Sequence, residues 1–360
     1  MNNRLKSKVM IILTLTLVLS FFTLKVMLPY SDYSESERRK LAVKPELTAE
    51  SLLSGSYGKR AEEYSKDHFP LRDRLRKLKV MTASGVFNKS DDRGMFTEGN
   101  HIVKLEYPFN EEKVNRALNI FNDITEKHLA PGHTSYISVI PDKNAFSDSL
   151  KMDYGEFESF VKDNSSFAEY IKISHLLNMD SYYYTDPHWK EESIIPVYEE
   201  LSSAMGNSDF VKYEAINAGD FKGAYSGQLP VKAGNDKAVY MWNDIMKDYR
   251  VFNHENNREG LLYNVEKASG RDPYEMFLEG PVSIITIENP HINETKELVV
   301  FRDSFGSSLG PLLAEKYSKI TFIDVRYISS ALIGKFVDFE NADMLFLYSS
   351  SVLNNSETLR

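Results

Sequence analysis

Short apolar runs alternate with amphipathic stretches along most of the chain after about residue 94. The runs within TSYISVIPDKN (134–144) and ADMLFLYSS (342–350) are apolar at nearly every position, which is typical of strands buried on both faces of a sheet. Residues 296–317 have the pattern of a strand, a sharp turn and a helix. Strands of this kind in alternation with helices predict an α/β fold with a mainly parallel sheet covered on both faces.

The same patterns predict the remaining elements in chain order. Helices are predicted over residues 111–130, 166–179, 191–206 and 330–340. Strands are predicted in a hairpin over residues 94–105, in a strand and turn over 180–189, and over 319–328. Residues 208–290 show no clear period and are predicted to be a small insertion of short strands and loops.

The N-terminus has the pattern of an export signal. Basic residues within the first eight positions precede an apolar run over residues 9–24, which orients the N-terminus toward the cytoplasm. Extended to Leu28, with Lys25 reaching the interface, the run has about 20 residues, enough to cross a bilayer. No small-residue cleavage site follows, so an uncleaved signal anchor over residues 1–29 is preferred to a cleaved signal peptide.

The rest of the chain is therefore expected outside the cytoplasm, held to the cytoplasmic membrane, or secreted if the signal is cleaved. The polar stretch up to about residue 47 predicts a stalk, and residues 48–87 predict helices in which Leu71, Leu75 and Leu78 recur at helical spacing. Three domains are predicted: an anchor over 1–29, a stalk with a helical segment over 30–90, and a catalytic domain over 91–360. The catalytic domain includes the insertion at about 208–290.

Charge and composition narrow the functional classes. The net charge is −9 over 360 residues and no long basic run occurs beyond the N-terminus, which argues against a nucleic-acid partner. The chain has no cysteine, which excludes thiolate catalysis, disulfides and iron–sulfur clusters. Outside the cytoplasm neither ATP nor a cytosolic cofactor would be at hand, so no cofactor is expected.

Ser304 lies where the strand around Val299 turns into a helix. A serine at such a turn exposes its Oγ, and the helix N-terminus supplies free backbone N–H groups. The N–H groups of Ser304 and its neighbours near Gly306 could hold an oxyanion, and Gly306 lets the backbone approach a substrate. A plain helix N-cap by Asp303 or Ser304 explains this stretch equally well.

A second group of reactive residues lies in TDPHW, at the end of the strand predicted over 180–189. A serine nucleophile needs a base, and the base needs an orienting acid; His188 is the candidate base and Asp186 the candidate acid. A turn with a satisfied histidine is an alternative, and a metal site would need a third ligand to which the sequence does not point. Trp189 is either a platform for a sugar ring or, preferably, a core residue.

Six segments together resemble the DHHW family of exported bacterial proteins and, beyond it, the SGNH-hydrolase-like polysaccharide O-acetyltransferases of the alginate type. Each segment alone is weak, but they follow the family order over most of the chain after the anchor. Pro187 stands where the family motif has a second histidine, between the acid and the base. The segments are ESERRKLAVKPEL (35–47), YSKDHFPLRDRL (64–75), VIPDKNA (139–145), DPHW (186–189), FRDSFGSS (301–308) and FIDVRY (322–327).

The resemblance implies an SGNH-hydrolase-like, flavodoxin-like fold that is circularly permuted. The strand before Ser304 would be the first of the usual order, the strands at 319–328 and 342–350 would follow, and the strand before Asp186 would be the last. The resemblance further implies that Ser304 is the nucleophile, His188 the base and Asp186 its orienting acid.

Further polar residues are candidates for the oxyanion hole or for substrate binding. The asparagine and glycine of the usual SGNH oxyanion hole are not obvious, and Asn354 or Asn355 could replace them. Arg302 and Arg326 could bind a sugar hydroxyl or a uronate carboxylate, or form structural ion pairs. Lys143 ends a strand on the predicted active face, where capping of the loop is the alternative.

Three functions fit this reading. The first is O-acetylation of a cell-surface or secreted polysaccharide through an acyl-Ser304 intermediate. For that function the resemblance implies a membrane-bound O-acyltransferase partner as the acyl donor. The second is a carbohydrate esterase with the same triad, and the third is a non-catalytic glycan-binding or assembly protein on the same frame.

Overall fold

The computed structural model describes residues 3–27, 30–34, 39–87, 94–229, 231 and 233–360. The end of the predicted anchor, part of the predicted stalk and the predicted boundary near residue 90 lie outside the described residues. By its internal contacts the chain divides into two units, Met1–Asp91 with Gly227–Val231, and Asp92–Ser226 with Lys232–Arg360.

The first unit is mainly helical. Its first helix, α1, contains a segment of 21 residues, Leu5–Lys25. This segment is long and apolar enough to cross a membrane or to act as a signal sequence. The elements of this part are α1 Asn3–Met27, β1 Tyr33–Ser34, β2 Arg39–Lys40, α2 Ala49–Leu53, α3 Ser56–Asp67 and α4 Arg72–Phe87.

Strands and helices alternate in the rest of the chain. The strands are β3 Met95–Glu98, β4 His101–Lys104, β5 Ser135–Ile140, β6 Glu169–Tyr170, β7 Glu214–Phe221, β8 Asp236–Trp242, β9 Arg250–Asn253, β10 Arg258–Gly260, β11 Ile284–Glu288, β12 Glu297–Arg302, β13 Lys319–Ile323 and β14 Ala342–Ser349. The helices are α5 Glu111–His128, α6 Tyr154–Asp163, α7 Ile195–Ala204, α8 Tyr225–Gln228, α9 Gly306–Leu313 and α10 Ser350–Leu353.

A mainly parallel sheet of eight strands lies at the centre of the second unit, in the order β10-β9-β11-β13-β12-β14-β5-β6. The strands from β13 to β6 pair in parallel, whereas β9, β10 and β11 pair antiparallel at one side. Numbered 1 to 5 along the chain, the parallel strands β5, β6, β12, β13 and β14 lie in the spatial order 4-3-5-1-2. The predicted α/β fold with a mainly parallel sheet is therefore correct.

The central strands form because they are apolar on both faces. In β12, Leu298 and Val300 pack in one buried cluster with α7 and α9. The alternate residues Val299 and Phe301 pack in a second cluster with α5 and α6. Each face of the sheet thus has its own core, and the run of apolar residues in the sequence reflects the twofold side-chain period of a strand.

Two predictions near the edge of the sheet are wrong. Residues 166–179 form β6 and a short 3₁₀ turn rather than a helix, because Ile171 and Ile173 are both buried and the Ile171 N–H donates to the Ile137 carbonyl. Residues 180–189 form a loop closed by an isolated bridge between Tyr182 and Trp189 rather than a strand. The strand that the resemblance implied directly before Asp186 is therefore absent from residues 180–189, and β6, at Glu169–Tyr170, takes its place at the edge of the sheet.

Other predictions need smaller corrections. The predicted helix over 330–340 is a 3₁₀ turn, Ser330–Lys335, and helix α6 was not predicted. In the region predicted as an insertion, β7 and β8 form a hairpin, while β9, β10 and β11 extend the central sheet. This region is therefore in part a continuation of the main sheet.

Candidate active site

The turn between β12 and α9 holds Ser304 at the carboxyl end of the parallel strands. One carboxylate oxygen of Asp303 accepts the Phe305 N–H at 3.0 Å, and the other accepts the Ser349 N–H at the end of β14 at 2.8 Å. Asp303 therefore fixes the turn to the neighbouring strand. The Ser304 hydroxyl is left for another partner, so the plain N-cap reading of this serine does not fit.

Glycine at position 306 allows α9 to start directly against β12. A Cβ atom built on Gly306 would lie 2.7 Å from the Cβ of Arg302, closer than real Cβ contacts allow. The glycine therefore serves the packing of the turn on its own strand. Its N–H closes that turn on the Asp303 carbonyl at 3.2 Å.

His188 links Ser304 to Asp186. Its Nε2 lies 2.8 Å from Ser304 Oγ and its Nδ1 lies 2.5 Å from Asp186 Oδ1. Because Asp186 accepts the Nδ1–H, the neutral ring presents an acceptor Nε2 to the serine hydroxyl, as a general base requires. Ser304 and His188 are partly exposed, whereas Asp186 is buried.

Asp186 is held in its charged form. Burial raises the pKa of this carboxyl, but the charge and hydrogen bond of His188 and the N–H of Ala224 outweigh burial, and the pKa lies below its ordinary value. The Ala224 N–H donates to Asp186 Oδ2 at 2.8 Å, and the His188 N–H donates to Oδ1 at 3.2 Å. A carboxylate in this position orients the imidazole and stabilises an imidazolium.

The loop that bears Asp186 is pinned by a buried lysine. Lys143 Nζ donates to the carbonyls of Ile102, Tyr183 and Asp186 at 3.0, 2.6 and 2.6 Å. The side chain is 1% exposed, and burial lowers its pKa to about 8 although nearby carboxylates oppose the shift. Lys143 thus holds backbone in the interior and does not face a substrate.

The hairpin of β7 and β8 supports the same loop from the other side. Asp236, the first residue of β8, accepts the N–H groups of Tyr184 and Thr185 at 2.7 and 2.9 Å. Gly223, just after β7, has no room for a side chain, because a Cβ there would lie 2.2 Å from the Thr185 carbonyl oxygen. The region whose fold the sequence did not reveal therefore positions the loop of Asp186 and His188.

An aromatic residue that was not predicted lies flat against the imidazole. The ring of Tyr274 stacks on His188 with centroids 3.7 Å apart and an interplanar angle of 5°. Its hydroxyl is in hydrogen-bond contact with Ser308 Oγ at 2.8 Å, on α9. The stack fixes the plane of the imidazole. No motif in the sequence marks Tyr274, because its role depends on a distant contact.

Trp189 is a core residue behind the serine turn. The side chain is fully buried, and its indole N–H donates to Ser308 Oγ at 2.9 Å and to the Phe305 carbonyl at 3.1 Å. The structure therefore does not allow the predicted alternative of a platform for a sugar ring, because no face of the indole is exposed.

The two arginines considered for substrate binding differ in exposure. Arg302 is fully buried and donates to the Asp303 carbonyl and to Ser307 Oγ; burial lowers its pKa although Asp324 opposes the shift. Arg326 donates from Nε and Nη2 to the Asp324 carboxylate at 2.9 and 2.6 Å, which raises its pKa against the effect of burial. Arg302 is thus inaccessible to a substrate, and the partly exposed Arg326 forms a local ion pair.

The side chain of Asn354 is engaged away from the serine turn. Its Oδ1 accepts the Asn110 N–H at 2.7 Å and its Nδ2 donates to the Pro108 carbonyl at 2.9 Å. Asn355 donates to the Ser351 carbonyl, also outside the turn. These contacts give the asparagines considered for the oxyanion hole a structural role.

The backbone N–H of Ser304 is the available oxyanion donor at the turn. Among the hydrogen bonds of the described residues this N–H has no acceptor, whereas the N–H groups of Phe305 and Gly306 are both bonded to Asp303. Within the same described part of the chain, no three His, Asp or Glu side chains form a group suited to a metal ion. The arrangement fits nucleophilic acyl chemistry at Ser304.

Comparisons with known proteins agree on the fold. No protein-family model and no curated protein matches the chain. Among solved structures, a DHHW family protein from Eubacterium siraeum superposes with a TM-score of 0.60 at 17% identity, over 74% of this chain and 95% of that one. The chain has a DHHW-like fold.

PatB1 from Bacillus cereus has the same architecture. It superposes with a TM-score of 0.58 at 18% identity, over 72% of this chain and 96% of that one. A second structure of PatB1, with a sulfonyl adduct, gives the same TM-score at 16% identity, over 72% and 95% of the two chains. At these identities the comparisons establish a shared DHHW-like fold.

Proposed function

We propose that this protein is an extracytoplasmic serine-dependent O-acetyltransferase that modifies a cell-surface or secreted polysaccharide through an acyl-Ser304 intermediate. One observation carries the proposal: His188 contacts Ser304 Oγ through Nε2 at 2.8 Å and Asp186 through Nδ1 at 2.5 Å. A serine, a base and an orienting acid in this geometry are the requirements for acyl transfer through a serine ester.

In the first half-reaction the Ser304 Oγ attacks the carbonyl carbon of the acyl donor, and His188 Nε2 takes the hydroxyl proton. Asp186 stabilises the imidazolium, and the Ser304 N–H donates to the developing oxyanion. The bond to the donor's leaving group breaks, and His188 returns the proton to that group. The acyl group is then an ester on Ser304.

In the second half-reaction a sugar hydroxyl gives its proton to His188 and attacks the ester carbonyl. The bond to Ser304 Oγ breaks, and His188 reprotonates the serine. The DHHW resemblance supports the polysaccharide acceptor, the membrane-bound O-acyltransferase that supplies the acyl group and the circularly permuted SGNH-like topology. The basic and then apolar N-terminus supports the placement outside the cytoplasm on α1. All of these belong to the proposal.

Intact-protein mass spectrometry tests the first half-reaction. The purified chain is incubated with an activated acetyl ester, or with a sulfonyl fluoride, since PatB1 has been solved with a sulfonyl adduct. Native protein and a Ser329→Ala control are expected to gain one acyl or sulfonyl group. Ser304→Ala and His188→Ala are expected to gain none, because the first lacks the nucleophile and the second lacks the base.

An acceptor glycan then distinguishes transfer from hydrolysis. Acetyl groups on the glycan support the transferase, whereas free acetate at an unchanged rate would make the protein an esterase with the same triad. If the native protein is never labelled and still binds oligosaccharide after Ser304→Ala, the enzymatic proposal fails and a binding protein remains.

A further inference from the structure

Apolar side chains are exposed at the corner between α3 and α4 and along one side of α4. Phe69, Leu71, Leu75 and Leu78 are 44%, 39%, 41% and 62% exposed. Leu75 and Leu78 lie on one side of α4, and Leu71 directly precedes the helix with its carbonyl accepting the Leu75 N–H; the three leucines are called the apolar stripe here. A contiguous exposed group of large apolar side chains is typical of a surface that binds a protein or a membrane.

Leu71 is held in an unfavourable backbone conformation. Its φ is 58°, in the left-handed region that glycine adopts without strain and leucine rarely does. An exposed leucine in this conformation indicates that its apolar side chain has a role at the start of α4 that glycine could not fill.

The stripe is bordered by positive charge. On a helical projection Arg74 lies on one side of the leucines and Lys79 on the other, and both are exposed. Long basic side chains beside an apolar stripe can extend their charged ends to phosphate groups while their stems stay in contact with acyl chains. Of the other basic residues of α4, Arg72 forms ion pairs with Asp67 and Asp73, and Arg76 with Asp73, whereas Lys77 lies exposed on another face.

The corner before α4 contacts the end of the candidate membrane span. The ring of Phe69 lies 5.3 Å from the ring of Phe21, which is within the span Leu5–Lys25 and about one helical turn from its end. Lys25 lies over the ring of Tyr64 at 5.4 Å. These contacts place the start of α4 at the level where a helix leaves the hydrocarbon region.

We propose that α4 lies in the membrane interface beside the end of α1, with the apolar stripe among the acyl chains and the flanking Arg74 and Lys79 at the headgroups of anionic phospholipids. The charge on α4 and the contact with the span select a lipid surface rather than a second protein. The inference assumes that α1 is embedded in the membrane, and it does not depend on the proposed acyl transfer.

A single fluorescent label tests this placement. The chain has no cysteine, so Leu78→Cys gives a unique site for an environment-sensitive dye. The full chain is reconstituted in vesicles of phosphatidylcholine and phosphatidylglycerol. The label at position 78 is expected to emit at shorter wavelength, to be quenched by a nitroxide-bearing phospholipid and to be protected from aqueous iodide. A label in Lys77→Cys, on another face of α4, is expected to behave oppositely.

The role of charge is tested in the Leu78→Cys background. Arg74→Glu with Lys79→Glu is expected to abolish lipid quenching, as is the replacement of phosphatidylglycerol by phosphatidylcholine. A matched pair, Lys127→Glu with Lys162→Glu, makes the same charge change on the exposed faces of α5 and α6 and should have no effect. Circular dichroism of each variant checks that the helices are intact.

Three outcomes contradict the inference. Equal access of iodide to labels at positions 77 and 78 would mean that α4 is in water. Protection of position 78 from iodide without quenching by the nitroxide lipid would mean that protein covers the stripe. Lipid quenching that persists in phosphatidylcholine alone and after the double Glu substitution would remove anionic phospholipid from the inference.

Discussion

The imidazole of His188 is held by contacts on its edge and on its face. Asp186 and Ser304 engage its two nitrogens, while Tyr274 lies parallel to the ring at 3.7 Å. The edge contacts set the tautomer, and the stack sets the plane in which Nε2 points at the serine. The positioning of the base therefore depends on a tyrosine as well as on the carboxylate.

Replacing that tyrosine should slow acylation. Tyr274→Leu removes the stack and is expected to lower the acylation rate about tenfold, since a ring contact of this kind contributes about 1–1.5 kcal/mol. Tyr274→Phe keeps the ring and loses the contact with Ser308, so its rate should stay near that of the native protein. Burst kinetics with an activated ester measures both; a Phe variant as slow as the Leu variant would show that the hydroxyl, not the ring, matters.

The carboxylate should matter more than the stack. Asp186→Asn leaves the shape of the site but removes the acceptor for the imidazole Nδ1–H, and the acylation rate is expected to fall by about 10³–10⁴. Because the pKa of Asp186 is lowered, its contribution to stability is present above its ordinary pKa of 3.8 and is lost only as the pH falls through the lower folded value. Asp180→Asn, an exposed neighbour, is the control; a loss below tenfold in Asp186→Asn would contradict the assigned role.

A buried acid near the end of β5 makes stability depend on pH. Burial and the nearby Asp142 raise the pKa of Glu106 from 4.5 to about 7. Between these values the folded chain binds the proton more tightly than the unfolded chain, so stability falls as the pH rises through this window. Glu106→Gln can keep the acceptor for Ser351 without the charge. We expect this variant to have a free energy of unfolding about 1–3 kcal/mol higher than that of the native protein above the window, and an unchanged one below it.

Thermal unfolding below and above this window measures the effect of Glu106→Gln. Glu112→Gln, on the exposed face of α5, serves as the control and should change neither melting temperature. An equal gain at both pH values would mean that the effect of Glu106→Gln does not arise from titration of this carboxyl.

At the scale of elements, the junction of β12 and α9 tolerates no side chain at position 306. Gly306→Ala is expected to destabilise the fold by about 1–3 kcal/mol and to slow acylation, because its Cβ would be 2.7 Å from the Cβ of Arg302. Gly58→Ala, in α3 with open space around it, is the matched control and should be neutral or stabilising. Chemical denaturation compares the two; equal stability of both variants would refute the steric argument.

The elements that the sequence predicted well are those that their own side chains determine. Strands β5, β12 and β14 are apolar on both faces, and α5 has a single apolar stripe, so their patterns are unambiguous. Residues 166–179 mix apolar and polar positions in a way that fits a helix, but the free edge of β5 draws Glu169–Tyr170 into the sheet. The pattern within a segment does not show whether a neighbouring strand has an unpaired edge to which the segment can hydrogen-bond.

The same limit applies to the candidate site. Ser304, His188 and Asp186 lie in short motifs whose chemistry can be read locally, and the structure has them in hydrogen-bond contact. Tyr274 and Asp236 act through contacts with residues far away in the sequence. Conversely, Lys143 and Arg302 were candidates for substrate binding and Asn354 for the oxyanion hole, but the three side chains are buried and hydrogen-bonded within the fold.

On the scale of the whole molecule, the proposed chemistry and the anchor belong to different units. The triad residues, with Tyr274 and Asp236, all lie in the second unit, whereas α1 lies in the first. Because α1 supplies none of these residues, its loss is not expected to disturb the proposed site.

A chain that starts at residue 30 is therefore expected to leave the detergent phase, since only the interfacial contact proposed for α4 would then hold it to a membrane, and to keep the labelling rate of Ser304. Detergent phase separation and sulfonyl fluoride labelling, applied to the full and the shortened chain, measure the two properties. A shortened chain that is folded by circular dichroism but is not labelled would show that α1 contributes to the site.

The order of the parts along the chain has a consequence for biosynthesis. His188 precedes Ser304 by 116 positions, and the turn that carries Ser304 is tied through Asp303 to Ser349, at the end of the last strand. A polypeptide emerges from its N-terminus first, so the base is made well before the nucleophile, and long-range pairings of this kind form late. If Ser304 acts as proposed, its reactivity would therefore arise only after β14 has been made, long after the segment that carries His188.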